Sequence, residues 1–285
     1  MYSMAVQSGT KLNRLLHDLP DGLFVDSAWL EERGYSRSLR NQYVHAGWLE
    51  RPAGRLYRRP GETLRWEQVV LSLQNLLGLP FIVGGRTALE LQGFAHYLSH
   101  ETQEVHLYGR GKPPTWLKTL EIGPRFVTHN SERLFRNGPI PFELTNIEHT
   151  SDPHPDIKPS NLFDSVKELS WGHSVWPMTA STPERAILEL LDELPNHESF
   201  HQVDALFSSL SGLSPRRLQK LLADCKSVKV VRLFFFFADR HGHRWRNQLV
   251  HGNFDLGSGK RELVKGGRLD KTYNITVPED LNGLP

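Results

Sequence analysis

The sequence predicts an α+β protein: an N-terminal winged helix-turn-helix over residues 1–62, then a larger mixed α/β domain over 63–285 with a mostly helical C-terminal third. Three observations carry this reading. Residues 10–60 run helix, helix, basic helix, basic hairpin. The middle of the chain alternates short strand-like runs with glycine and proline clusters. From Thr182 to about residue 248 the apolar residues recur at helical spacing.

Residues 1–9 read as a loose leader, and Thr10 as the N-cap of a first helix that buries Leu12, Leu15, Leu16 and Leu19 and stops at Pro20-Asp21-Gly22. Phe24 and Val25 form a short extended link. A second helix begins near Asp26 or Ser27 with Ala28, Trp29 and Leu30 inward, and Gly34-Tyr35 breaks it. The third helix, Ser36 to Ala46, buries Leu39, Tyr43 and Val44 and is closed by Gly47, which leaves Arg37, Arg40, Asn41 and His45 largely on the other side. Arginine pairs with guanine and asparagine with adenine in a major groove, so this is the layout of a recognition helix.

Two short strands, Trp48 to Arg51 and Arg55 to Arg58, then flank a Pro52-Ala53-Gly54 turn and form the expected wing. Arg55 and the Arg58-Arg59 pair are expected to face phosphates while Leu56 packs inward. Between Arg33 and Gly61 seven arginines stand against Glu50 alone, a local net charge of +6 in a chain whose total is +2. The remainder is therefore acidic, and the positive field is concentrated on this stretch. The expected DNA-binding residues are Arg37, Arg40, Asn41, His45, Arg51, Arg55, Arg58 and Arg59.

Downstream, Thr63 to Leu77 reads as a connecting helix, Phe81-Ile82-Val83 as a buried strand, and Thr87 to Gly93 as a helix entered through Gly84-Gly85. Further strands are expected at Glu104 to Tyr108, Arg125 to Thr128, Phe142 to Ile147 and Ser174 to Thr179. The proline-rich run Ser151 to Ser160 marks a loop and a subdivision of the second domain near 150–180. Thr182-Pro183 starts a strong helix, and Phe200 to Leu210, Pro215 to Leu222 and Val228 to Phe237 continue the pattern. Leu256, Leu263, Leu269 and the run Tyr273 to Val277 indicate a terminal hairpin.

A second function class stays open on residues. A glycine pair between strand and helix can hold a phosphate, as in nucleotidyltransferases. Their next strand carries two metal-binding carboxylates, whereas Glu104-Val105-His106 offers one, so Glu104 would need Glu90 or Glu143 as partner. Gly257-Ser258-Gly259-Lys260 lacks the full phosphate-loop spacing and reads as a hairpin turn with a solvated lysine. Of the 14 histidines, His96 with His100 and His241 with His243 lack the glutamate of a zinc-hydrolase motif, and neither metal nor cofactor is expected. The lone Cys225 excludes an intramolecular disulfide and fits a reducing compartment. With no signal peptide or apolar span in the sequence, the expected location is the cytosol.

The N-terminal run KLNRLL…FVDSAWLEERGYSRSLRNQYVHAGWLERPAGRLYRRPG, the strand and helix FIVGGRTALELQGF, and TASTPERAILELLDEL together resemble the AbiEi family, antitoxins and transcriptional regulators of type IV toxin-antitoxin systems. The resemblance implies no enzyme. It implies a winged helix that represses its own operon by binding promoter inverted repeats, and a C-terminal domain that counteracts a nucleotidyltransferase-like toxin without forming a stable complex with it. It leaves open whether two copies pair before or on double-stranded DNA.

Overall fold

A computed structural model describes residues 2–94, 102–137, 163–171, 176–250 and 254–281, with side chains from residue 10 onward. The chain is α+β. Its N-terminal part holds α1 (Tyr2–Asp18), β1 (Phe24–Asp26), α2 (Ser27–Glu32), α3 (Arg37–His45) and β2 (Leu56–Arg58). Helix α1 begins at Tyr2, so the leader expected over residues 1–9 is largely helical and Thr10 lies inside the helix rather than capping it. Leu15 and Leu19 of its apolar stripe are fully buried.

The segment read as a link is a strand. β1 pairs antiparallel with β2 in the register Phe24↔Arg58, Val25↔Tyr57, Asp26↔Leu56. Side chains alternate across a strand, so the ribbon feeds two cores. Val25 and Tyr57 join Leu15, Leu30 and Tyr43 in a small N-terminal cluster, while Phe24 and Leu56 join the main core. The Phe24 amide donates to Ser72 Oγ at 3.0 Å, and its ring meets Trp116 edge-on at 5.2 Å. These contacts fasten the N-terminal helices to the body.

The body is a five-stranded mixed sheet in the order β5-β4-β3-β7-β6. β3 (Phe81–Val83) lies between β4 (Glu104–Gly109), antiparallel to it, and β7 (Met178–Ser181), parallel; β5 (Arg125–Asn130) runs parallel to β4, and β6 (Val166–Leu169) antiparallel to β7. α4 (Trp66–Leu71) is continued by a wider π turn to Leu76, and that turn packs against β3 and β1. α5 (Gly85–Leu91) follows β3 directly. The strand expected at Phe142 to Ile147 and the loop Ser151 to Ser160 lie outside the described residues.

α6 (Pro183–Asp192) is buried from Glu184 to Leu191. It packs between α5 and α9 (Val228–His241) and against α8 (Pro215–Asp224), while α7 (Phe200–Ser209) packs on α9. α9 is buried on every side from Val230 to Ala238, as a helix apolar all round must be. Its one cation in that span, Arg232, donates to the carbonyls of Gly259 at 2.7 Å and Asn274 at 3.2 Å. The Gly257 to Lys260 run is thus a loop clamped to α9. The terminal hairpin is β8 (Arg268–Asp270) with β9 (Ile275–Val277). Among the described residues no helix is long and apolar enough to cross a membrane.

Candidate nucleic-acid interface

Local chemistry sets the two helices of the candidate interface at a fixed angle. Asp26 Oδ1 caps α2 by accepting from the Trp29 amide at 2.9 Å, and Ser36 Oγ caps α3 by accepting from Leu39 at 3.3 Å. Between them the Tyr35 amide donates to the Leu30 carbonyl at 2.9 Å, and Tyr35 Oη donates to the Lys11 carbonyl at 3.1 Å. Gly47 ends α3 at φ +74, a conformation that favours glycine, and the Trp48 amide closes back on the Tyr43 carbonyl.

Along α3, Arg37, Ser38, Gln42 and His45 are exposed and Asn41 is half-buried. Arg37, Asn41 and His45 follow one another at steps of four, which aligns them on one face. Arg51 and Arg55, on the turn after α3, are exposed beside them. Arg51 Nη2 donates to Asn41 Oδ1 and to Tyr57 Oη at 3.1 Å, its guanidinium lying 5.0 Å from the Tyr57 ring centre. The N-terminal end of α3, the turn and Tyr57 enclose a cleft of about 540 Å³. Neither Arg37 nor Arg55 has an ion-pair partner among the described residues.

Two expected contact residues are inside the protein. Arg40 is only 3% exposed; it donates to the carbonyls of Ser27 at 3.0 Å and Tyr35 at 3.3 Å and pairs with Glu31 at 2.7 Å. The reason is helical arithmetic: Arg40 stands three and four residues before Tyr43 and Val44, and so shares their inward stripe. Arg58 is 7% exposed, paired with the Glu50 carboxylate and donating to the Glu62 carbonyl at 2.8 Å. The ribbon is covered on both faces, so alternation does not turn Arg58 outward. Arg59 is half-buried, 2.9 Å from Asp21.

The expected hairpin is also shorter. Only Glu50 bridges Arg58 across it, and the regular partner of β2 is β1. Pro52 has no amide to give, and the Leu56 amide is used by Ala53 at 2.8 Å to close the turn, so the ladder stops there. Sequence reading passed over Ser38 and Gln42, although Gln42 carries an amide able to read adenine and stands four residues from Ser38. It also passed over Trp48, 48% exposed beyond Gly47.

The Gly84-Gly85 turn is filled by the protein itself. Glu189 Oε2 accepts from the Gly85 amide at 3.0 Å, and a Cβ on Gly84 would overlap Tyr108 and Glu189. Glu104 pairs with Arg125, and Glu90 has its carboxyl pKa raised by burial; Glu143 lies outside the described residues. Where a second carboxylate was sought, a chain of rings is found instead. His106 Nδ1 lies 3.0 Å from His129 Nε2, and His129 Nδ1 lies 3.0 Å from Glu193. Among the described residues no group of three potential ligands is placed to hold a metal ion. His96 and His100 lie outside them, while His241 pairs with Asp204 at 2.7 Å and His243 bonds the Phe207 carbonyl at 2.7 Å.

Burial, aided by the charge on His129, lowers the His106 pKa to about 4. The folded state then binds fewer protons than the unfolded chain, whose histidine titrates near 6.5. The stability this contributes is full above about pH 6.5 and is lost as the pH falls towards 4. The urea midpoint is expected to drop between pH 7 and pH 4.5, and to drop less in His106→Gln. An equal fall in both proteins would contradict this assignment.

Two family models together match nearly the whole chain. Residues 8–100 match the N-terminal domain of the transcriptional regulator AbiEi antitoxin, and residues 102–278 match the transcriptional regulator, AbiEi antitoxin, of type IV toxin-antitoxin systems. The comparison with curated proteins finds no match. Among solved structures, the crystal structure of the RV2827C protein from Mycobacterium tuberculosis is similar, with a TM-score of 0.54 at 13% identity over 94% of this chain and 90% of that one. At that identity the likeness concerns the fold alone.

Proposed function

We propose, for a chain that belongs to the AbiEi family of type IV antitoxins and transcriptional regulators, that residues 1–62 act as a winged helix-turn-helix on the promoter of its own operon. The remaining residues counteract a nucleotidyltransferase-like toxin without a stable complex, in the cytosol. One observation supports the DNA half most directly: Arg37, His45, Arg51 and Arg55 are exposed together along α3 and the turn that follows it, within the segment that carries the local charge of +6.

In this reading α3 enters the major groove with Arg37, Asn41 and His45, joined by Ser38 and Gln42. Arg51 and Arg55 take the flanking phosphates. Arg40, Arg58 and Arg59 are framework: they hold α2, the turn and α1 in the geometry that presents α3. Inverted repeats in the promoter would seat two copies of the chain.

Phosphate contact has a salt signature. Each phosphate neutralised adds about 0.9 to the slope of log affinity against log salt. Arg51→Ala and Arg55→Ala are each expected to shallow that slope by about one on any duplex, specific or not. Fluorescence anisotropy at four salt concentrations measures it. Slopes equal to wild type would remove the turn from the interface.

A further inference from the structure

A second cleft is built from quite different elements. Its volume is about 430 Å³, within the range of small-molecule sites. Four cations line it: Arg136 after β5, Arg185 in the first turn of α6, and Arg217 and Lys220 on α8. Two carboxylates, Asp164 and Asp224, line it as well. Asp224 is taken by Asn137, through Nδ2 at 2.6 Å and the backbone amide at 3.2 Å. Asp164 is shared between Arg217 at 3.1 Å and Lys220 at 3.9 Å. Arg136 donates to the Ala223 carbonyl, and Arg217 lies 3.8 Å from Glu184.

Arg185 is the anomaly. Its side chain is 2% exposed and its guanidinium carbon lies over the Phe135 ring, 4.2 Å from the ring centre. Nε donates to Glu189 Oε1 at 2.7 Å, while the other oxygen of Glu189 is held by the Gly85 amide. Nη2 is buried and has no hydrogen-bond partner among the described residues. Buried polar groups are almost always bonded, and a guanidinium keeps its charge at any accessible pH. With Nε occupied and the guanidinium carbon over Phe135, Nη2 is the donor left without a partner among the described residues, and a guanidinium edge matches the oxygens of a phosphate or carboxylate.

We propose that this cleft binds a small organic oxyanion, a phosphate or carboxylate on a molecule of nucleotide size, with Arg185 Nη2 as its inner donor. Arg217 and Lys220 supply outer cations, and Leu221 gives an apolar wall to the remainder of the ligand. The site lies in the body of the protein and is separate from α3, so its ligand would act as an effector of the regulator rather than as part of the DNA interface.

The test is calorimetric titration of the full-length protein with inorganic phosphate, a nucleoside monophosphate and citrate. Saturable binding of at least one is expected, weakened about tenfold or more in Arg185→Lys and in the double variant Arg217→Gln/Lys220→Gln. The lysine keeps a cation beside Glu189 but removes the fork, and the outer pair is exposed enough to be changed without loss of the fold. Phosphate and citrate distinguish the two oxyanion classes, and tighter binding of the nucleotide would place its remainder on the apolar wall. No binding of any of the three up to about 10 mM, the weak end of small-ligand affinity, overturns the proposal. So does binding that both variants leave unchanged.

Discussion

Replacing Arg37 and Asn41 together by alanine is expected to lower affinity for promoter DNA by about two orders of magnitude. A good side-chain contact to a base edge is worth about 1–3 kcal/mol, so two of them lost at the lower half of that range give this factor. The fold should be untouched. Arg37 is exposed without an ion-pair partner among the described residues, and the half-buried Asn41 side chain contributes one hydrogen bond, with the exposed Arg51. Stability changes at such surface positions lie within about 0.5 kcal/mol. Asn41 has one further requirement. Reading adenine uses both ends of its amide, so its Oδ1 must be released by Arg51, which then turns to phosphate. The variant is also expected to keep its antitoxin activity in cells expressing the toxin, because the two functions are assigned to different parts of the chain. Gel-shift titration beside a urea melt measures the first two effects. Unchanged affinity would take the reading role from this face of α3.

Arg40→Ala is expected to destabilise the protein by about 2–3 kcal/mol, the largest stability effect among the arginines of this segment. Its Glu31 partner is mostly exposed, so that pair contributes little after solvent screening. The larger part comes from the carbonyls of Ser27 and Tyr35, which lose a charged donor at a buried position. Those two carbonyls lie at the start of α2 and at the turn before α3, so the loss falls on the angle between the helices. An apparent loss of DNA binding in this variant would therefore follow from unfolding and should recover on cooling or in stabilising osmolyte. A urea midpoint within error of wild type would contradict the structural role.

What the sequence made legible was local. The third helix starting at Ser36, Gly47 as its stop, the Leu15 and Leu19 stripe and the Thr182-Pro183 helix start all depend on neighbours within a turn or two, and each is found. Arg40 and Arg58 look like solvated cations until the turns of the fold bring Ser27, Glu31, Glu50 and Glu62, only a few turns away in sequence, round to them. Other errors have partners distant along the chain. Phe24 and Val25 look like a link because their strand partner is Tyr57 and its neighbours, more than thirty residues on. β6 passed unnoticed because Val166-Lys167-Glu168-Leu169 is an edge strand with two exposed charges at its centre. The Gly84-Gly85 turn was open to a phosphate reading because Glu189, which occupies its amide, arrives from α6 across the fold. The cleft at Arg185 was invisible for the same reason, since its lining comes from four separate stretches.

The central claim is sequence-specific recognition of the chain's own promoter. It is tested most directly by titrating the full-length protein onto a duplex carrying the inverted repeats upstream of its gene and onto a scrambled duplex of equal length, at one physiological salt concentration. Preference for the repeats by about three orders of magnitude or more is the expected result. Equal affinity for the two duplexes, with the same salt slope, would contradict it and leave only non-specific electrostatic binding.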